Sequence, residues 1–459
     1  MALVLVQFLA SIAFGSACRS RPAPEARLNL LLVTLDTTRA DALGAYGGKA
    51  VTPSLDHLAA EGVVFDQAST VAPLTLPAHS SLFTGLFPPG HGVHGNGQNA
   101  LGTESITLAG QLRARGFRTG AFVSSFVLDH RWGLDQGFDV YHDPGIGPER
   151  GIDRESLRRS ADSVVDDALD WMQQLGDDRF FAWLHFYDAH APARPPAEFA
   201  PIGDEDNYFA AIGFVDFQLS RVMTFLAEHQ LADRTIVAVI GDHGESLGEH
   251  GEPTHGLFVY EAVVHVPFII SAPLANMQGR RVSEPVRIVD VMPTMLDLLG
   301  QSAAAAIDGQ TLVPLMTGAR RESRLDVYSE SRYGLDRFGW SPLSALREGR
   351  FKLILAPRPE LYDLEADPHE SVNLYQQSAD LAASMTKRLR TLAQPVPSRQ
   401  ASSSSVSVDA ETRARLASLG YVASAPAPAD PAQTLADPKD RIDLYKQLTR
   451  ISQRQGGLP

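Results

Sequence analysis

The stretch Leu28-Asn29-Leu30-Leu31-Leu32-Val33-Thr34-Leu35-Asp36-Thr37-Thr38-Arg39-Ala40-Asp41 passes without a break from an apolar run into a polar, carboxylate-bearing turn. A run of this kind, apolar at nearly every position, reads as a strand buried on both faces, as in parallel sheets covered by helices on each side. Four further runs share the character, at residues 120–123, 180–186, 235–240 and 266–271. Amphipathic, helix-like stretches lie between them at 53–61, 106–115, 156–175, 207–229 and 290–299. The alternation predicts an α/β fold, a three-layer sandwich with a central, mostly parallel sheet flanked by helices.

Three of these strands end in residues suited to chemistry. The first delivers Asp36; 235–240 runs into Gly241-Asp242-His243-Gly244-Glu245; 180–186 runs into Tyr187-Asp188-Ala189-His190. Ligands of open α/β sheets bind beyond the carboxyl ends of the strands. One strand-end Asp is ordinarily a cap or turn residue; three ends rich in Asp and His point to a metal. Asp and His together suit Mn or Zn, with Ca as the alternative if oxygen ligands dominate.

The segment Leu74-Thr75-Leu76-Pro77-Ala78-His79-Ser80-Ser81-Leu82-Phe83-Thr84-Gly85 reads as a short helix with Pro77 in its first turn and Gly85 as its stop. Thr75 is expected just before the helix, where free N–H groups and the macrodipole favour an anion. On these residues alone, a helix cap and a nucleophile fit equally well.

The run Thr75-x-Pro77, continued by Leu82-x-Thr84-Gly85, resembles the sulfatase signature of the alkaline-phosphatase superfamily. So do the early helix Thr52-Pro53-Ser54-Leu55-Asp56-His57-Leu58, the loop Gly241-Asp242-His243-Gly244-Glu245 with Gly248-Glu249-His250-Gly251, and the late motif Leu361-Tyr362-Asp363-Leu364 with Asp367-Pro368 and Asn373-Leu374. The resemblance implies an ester hydrolase with one divalent metal held by Asp36, Asp242, His243 and Thr75. The departures matter as well. Thr75 stands where sulfatases carry the Cys or Ser that is oxidised to formylglycine, and a Thr would give a ketone in place of that aldehyde, so no formylglycine is expected. His79 replaces the signature Arg and is expected on the substrate side. A Thr nucleophile resembles superfamily phosphodiesterases and phosphoethanolamine transferases, and His255 sits where those transferases bind phosphate. Asn96 follows Thr75 at the separation at which the phosphodiesterases bind a phosphoryl oxygen.

The implied reaction is attack by the Thr75 alkoxide on phosphorus or sulfur, leaving a covalent ester. Asn96 and the Thr75 N–H would hold the non-bridging oxygens, and His190 or His255 would protonate the leaving oxygen. Arg39 reads as a partner of Asp36, as a substrate contact, or as paired only with Asp41. His185, Asp188 and His250 are the candidates for a second metal, but the spacing Asp188-x-His190 does not match the two-metal relatives, so one metal is expected. Substrates in view are phosphate mono- or diesters and sulfate esters of a small molecule, glycan or lipid. A sulfuric ester hydrolase with unmodified Thr75, and a transferase moving a phospho-substituent onto an envelope glycan or lipid, remain the alternatives.

The 459 residues carry a formal net charge of -14 and no long basic run, which argues against nucleic acid as a partner. Residues 1–18 read as a signal peptide; the only Cys, Cys18, follows Gly15-Ser16-Ala17, small residues that resemble a lipoprotein signal. An exported protein is expected, periplasmic or held at a membrane through lipidated Cys18. Residues 19–27 form a tether, 28–320 the catalytic domain, and 321–394 a C-terminal subdomain with a short antiparallel sheet. Residues 395–436 are Ser/Pro/Ala-rich linker, and 437–459 a lone helix that docks on the body, binds a partner or frays.

Overall fold

The computed structural model describes residues 27–145, 157–200, 207–274, 277–319, 325–395, 404–405, 409–421 and 435–455. The expected signal segment and Cys18 lie outside the described residues, as do most of the tether and much of the expected linker.

The central sheet has eight strands: β1 (Asn29–Leu35), β2 (Val63–Phe65), β3 (Arg118–Val123), β4 (Val140–His142), β5 (Phe180–Phe186), β6 (Thr235–Gly241), β7 (Phe268–Ser271) and β8 (Arg280–Val282). Their order is β8-β2-β7-β6-β1-β5-β3-β4. All pairings are parallel except those of β7, which runs antiparallel to both β6 and β2. The apolar run near 266–271 is therefore buried like its neighbours but reversed, a direction that apolar content does not encode.

Period-two alternation divides β1 between two cores. Leu30 and Leu32 join one cluster, with Leu76 and Leu82 of helix α2 (Thr75–Thr84), Leu108 and Leu112 of α3 (Leu108–Ala114), and Met295 of α6 (Val291–Leu298). Leu31, Val33 and Leu35 join the other, with Leu55 of α1 (Pro53–Glu61), Val164 of α4 (Ala161–Gln174) and Leu219 of α5 (Asn207–Glu228). Both sheet faces are thus covered, and the three-layer α/β architecture follows. At about 25 cal/mol per Å² of apolar area removed from water, this double burial is what makes the strand ends rigid supports.

An antiparallel sheet of β9 (Asp326–Ser331), β10 (Leu343–Glu348), β11 (Phe351–Leu355) and β12 (Glu360–Asp363) follows, backed by α8 (Ala379–Leu392) through Met385 and Leu389. Helix α7 (Tyr333–Phe338) leaves the end of β9.

The expected linker requires correction. Residues 404–405 pair with Asn99–Ala100, and helix α9 (Ala410–Ser418) buries Arg415 and Leu416 completely. Helix α10 (Ile442–Gln455), the expected lone helix, docks on the body: Tyr445 is buried in a cluster with Leu257, Phe258 and Trp340. A single amphipathic helix gains little on its own in water, and this one covers apolar residues just past the loop that carries Asp242 and His243.

Candidate active site

The carboxyl ends of β1 and β6 lie side by side, with Leu35 opposite Gly241, so Asp36 and Asp242 leave the sheet as neighbours. Thr37 follows in a left-handed conformation (φ 52°), strained for a β-branched residue and costing on the order of 1–3 kcal/mol. Its N–H donates to Asp242 Oδ1 at 3.2 Å, and the His243 N–H donates to the same oxygen at 2.7 Å. Thr75 is the first residue of α2, after Leu74, rather than the residue before the helix. Its hydroxyl donates to Asp36 Oδ2 at 3.1 Å and lies 3.4 Å from His243 Nε2.

Asp36, Asp242, His243 and Thr75 are all buried, and one potential ligand atom from each of Asp36, Asp242 and His243 falls within 4.8 Å of the others. Among the described residues, Asp36 Oδ1 and Asp242 Oδ2 have no hydrogen-bond partner, and neither has His185 Nε2, which lies 3.3 Å from Asp36 Oδ2. Burial pushes both carboxyls well above the usual range, and the Asp36 charge pushes Asp242 further. Burial likewise lowers His243 to about 4 and His185 to about 3. Buried, close-set carboxylates with orphaned oxygens fit a divalent cation, which reverses these shifts by stabilising the ionised ligands. Asp36, Asp242, His243 and the Thr75 hydroxyl would hold it.

Asn96 accepts the Leu76 N–H at 2.9 Å through Oδ1, while its Nδ2 is buried without a partner among the described residues. A fixed amide with an unused donor beside Thr75 is suited to an ester oxygen. His255 Nδ1 lies 3.2 Å from Glu245 Oε1, and its ring is 4.6 Å from that of His243. Burial drives His255 down to about 3 and Glu245 up to about 8, favouring a neutral pair that shares one proton. His190 also joins the site, its ring 4.9 Å from His255. Its Nδ1–H donates to the Ala191 carbonyl at 2.9 Å, so Nε2 accepts the Tyr421 hydroxyl at 3.2 Å.

The structure decides three expectations. His79 is not on the substrate side. It is fully buried beneath Thr75, where its Nδ1–H donates to the Thr75 carbonyl (2.8 Å). Its Nε2 accepts from Thr34 Oγ1 (3.0 Å), which itself receives the Trp183 indole N–H (3.0 Å). Burial keeps this imidazole well below its usual pKa, and both nitrogens are occupied. Of the three readings of Arg39, the structure bears out the pairing with Asp41 (2.7 Å), to which it adds Glu249 (2.6 Å) and a bond to the Glu245 carbonyl. The proposed second-metal set does not assemble. His185 faces Asp36, Asp188 accepts the Ala161 N–H at the start of α4, and His250 stacks on Tyr260 with ring centroids 3.6 Å apart.

Sequence reading gave no role to Glu245, although it sits two residues past His243; its contact with His255 depends on how the loop folds back. It assigned nothing to Tyr421, whose position gave no local signal.

The sulfatase family model matches residues 28–301. The chain belongs to the sulfatase family. It lies within the alkaline-phosphatase superfamily and is a sulfatase-like hydrolase of ester bonds, in a family whose members depend on metal. A second model, N-sulphoglucosamine sulphohydrolase C-terminal, matches residues 248–395, so the segments 409–421 and 435–455 lie beyond both. The chain is 28% identical to an uncharacterized sulfatase, YidJ, of Escherichia coli K12, over 76% of this chain and 83% of that protein. It is 24% identical to an arylsulfatase of Clostridium perfringens, over 75% of this chain and 90% of the relative. Among solved structures it resembles a phosphonate monoester hydrolase of Agrobacterium radiobacter, with TM-score 0.67 and 23% identity, covering 83% of this chain and 97% of the other.

Proposed function

We propose that this sulfatase-family protein hydrolyses phosphate or sulfate esters by direct attack of the unmodified Thr75 hydroxyl, through a covalent ester on Thr75. The observation that carries the reading is the position of Thr75 Oγ1, buried at the first turn of α2, 3.1 Å from Asp36 Oδ2 and 3.4 Å from His243 Nε2. Its Cβ methyl forbids oxidation to an aldehyde, so the formylglycine route is closed to this side chain. The mixed carboxylate and imidazole donors favour Mn or Zn over Ca. A divalent cation bound there lowers the pKa of a coordinated hydroxyl.

Thr75 releases its hydroxyl proton to solvent, and the resulting Oγ anion attacks the central atom in line and breaks the bond to the leaving oxygen. Asn96 Nδ2 and the Thr75 N–H donate to the non-bridging oxygens as charge grows on them. His255, its Nδ1 held on Glu245, presents Nε2–H and protonates the leaving oxygen. The same imidazole then takes a proton from the water that cleaves the Thr75 ester. His190 orients beside it, and His79 fixes the first turn of α2 by bonding the Thr75 carbonyl.

A reading in which the substrate is a sulfate ester draws on the family match itself. Transfer to an acceptor alcohol would need that alcohol in place of water, and no feature of the site favours it. Both sulfate and phospho-esters are tested by turnover of 4-nitrophenyl sulfate, phosphate and a phosphodiester, with metal-stripped protein resupplied with Mn, Zn or Ca. The peptide bearing Thr75 is expected to have the mass of unmodified Thr, and Thr75→Ala is expected to be inactive. A variant as active as the parent would reduce Thr75 to a helix residue and end the mechanism.

A further inference from the structure

Beside His190 and His255 opens a cleft whose far wall comes largely from chain beyond residue 395: Leu419, Tyr421 and, on α10, Tyr445. The remaining wall is Tyr333 and Arg337 of α7. The cleft adjoins the nucleophile. Gly256, at φ +103°, has no room problem of its own, yet a Cβ there would lie 3.5 Å from both Leu74 Cδ2 and the Tyr333 ring. Tyr333 is thus within one side-chain width of the residue that precedes Thr75. The Tyr333 hydroxyl donates to the Gly420 carbonyl at 3.1 Å, tying α7 to the late segment.

Among the described residues, Arg337 is the only charged side chain on this cleft's lining, and no Asp or Glu lies there, in a protein with 54 acidic and 40 basic residues. Its Nη1 donates to the Tyr333 hydroxyl at 3.1 Å, and its guanidinium lies 5.7 Å from the Tyr333 ring and 5.4 Å from the Phe338 ring. Among the described residues no carboxylate comes within ion-pairing distance of it, whereas Arg39, Arg131, Arg287 and Arg350 each hold one. A guanidinium fixed by aromatic faces and one hydroxyl, with further N–H donors unused, is organised to receive an anionic oxygen pair.

We propose that this cleft is a leaving-group subsite, in which Arg337 binds a second anionic group carried by the alcohol or phenol that departs. The assignment rests on the reading in which His255 protonates the leaving oxygen, since that places the departing group on the His190–His255 side. Tyr421 is a positioning residue: it closes the wall and bonds His190 Nε2. The preferred substrates are then esters of acidic alcohols, such as uronic acid sugars or carboxylated phenols, rather than esters of neutral ones.

The test uses the full chain loaded with Mn, Arg337→Gln and Arg337→Lys, and matched 4-nitrophenyl and 3-carboxy-4-nitrophenyl esters of whichever acid is turned over. The parent is expected to favour the carboxylated ester in kcat/KM, and Arg337→Gln to shrink that preference about 10- to 100-fold, with Arg337→Lys in between. Equal preference in parent and Arg337→Gln overturns the proposal. A second arm needs no turnover: calorimetric binding of the free leaving groups, 5-hydroxy-2-nitrobenzoate and its sulfonate counterpart, to the Thr75→Ala protein. Weakening of either by about 10-fold on adding Arg337→Gln supports the subsite and says which anion it takes; undiminished binding, or none by either protein, overturns it. Turnover persisting in Thr75→Ala would fail the nucleophile while leaving both Arg337 comparisons readable.

Discussion

At Lys352 the protein buries an ammonium between Glu261 (2.8 Å) and Glu370 (2.9 Å), with Arg347 3.5 Å from Glu261. At the ends of β1 and β6 it buries Asp36 and Asp242 with no Lys or Arg in ion-pairing distance among the described residues, only imidazoles. Both clusters suffer the same desolvation, which raises buried carboxyls and lowers buried ammonium groups. In the first, neighbours outweigh burial for two of the three groups: Glu261 is held down by Lys352 and Arg347, and Lys352 is held up by its two carboxylates, while burial and the Glu261 charge leave Glu370 raised. In the second, both Asp side chains are left raised, each with an orphaned oxygen. The first cluster carries its counter-charge within the chain. The second has no Lys or Arg counter-charge among the described residues, and its carboxylates fit a divalent cation from outside.

The largest effect should come from Thr75→Ala. Removing a nucleophile costs about 10³- to 10⁶-fold in kcat, and metal content measured by atomic emission is expected to stay near one ion per chain, because the carboxylate and imidazole ligands remain. Next, Lys352→Met should destabilise by about 3–5 kcal/mol in denaturant unfolding, since it strands two buried carboxylates; no added metal should restore that loss. The contrast would collapse if Mn or Zn rescued it. Chelation of the parent should lower its melting temperature, reversibly, with about 2.7 kcal/mol at stake when metal stands at 100 times its Kd; Asp242→Asn should abolish the metal dependence. A smaller change is expected for Glu245→Gln, which keeps a hydrogen bond to His255 but cannot exchange a proton with it. There kcat should fall about 10- to 100-fold with KM little altered.

The smallest effect sharpens the comparison from the exposed side. Burial raises the Asp139 carboxyl, but the Thr119 N–H and Arg113 outweigh it, so its pKa is lowered overall. A lowered pKa contributes stability above the unfolded value of about 4 and loses it as pH falls through the folded value. Asp139→Asn should therefore cost less than about 1 kcal/mol at pH 7, and the difference from the parent should vanish at pH 2. A cost that persisted at low pH would mean packing, not charge, sets it.

Residues 36, 75, 242 and 243 could be found in the sequence because each sits where an apolar run or a helix begins or ends, a junction written locally. His79 was misplaced because its spacing from Thr75 shows only that it shares their helix; the Thr34 and Trp183 groups that claim it belong to β1 and β5. Arg39 was left among three roles because the carboxylate that fixes it, Glu249, is 210 positions away.

By itself the sequence determined the α/β layering, the strand ends that bear Asp36, Asp242 and His243, and the presence of a short helix next to Thr75. These follow from residue-scale periodicity and from junctions between apolar and polar runs. Only the tertiary structure decided the direction of β7, the pairing of Glu245 with His255, and the return of residues 409–421 and 435–455 to wall the site. Those outcomes turn on which of several apolar surfaces meet, and burial area is indifferent to separation along the chain.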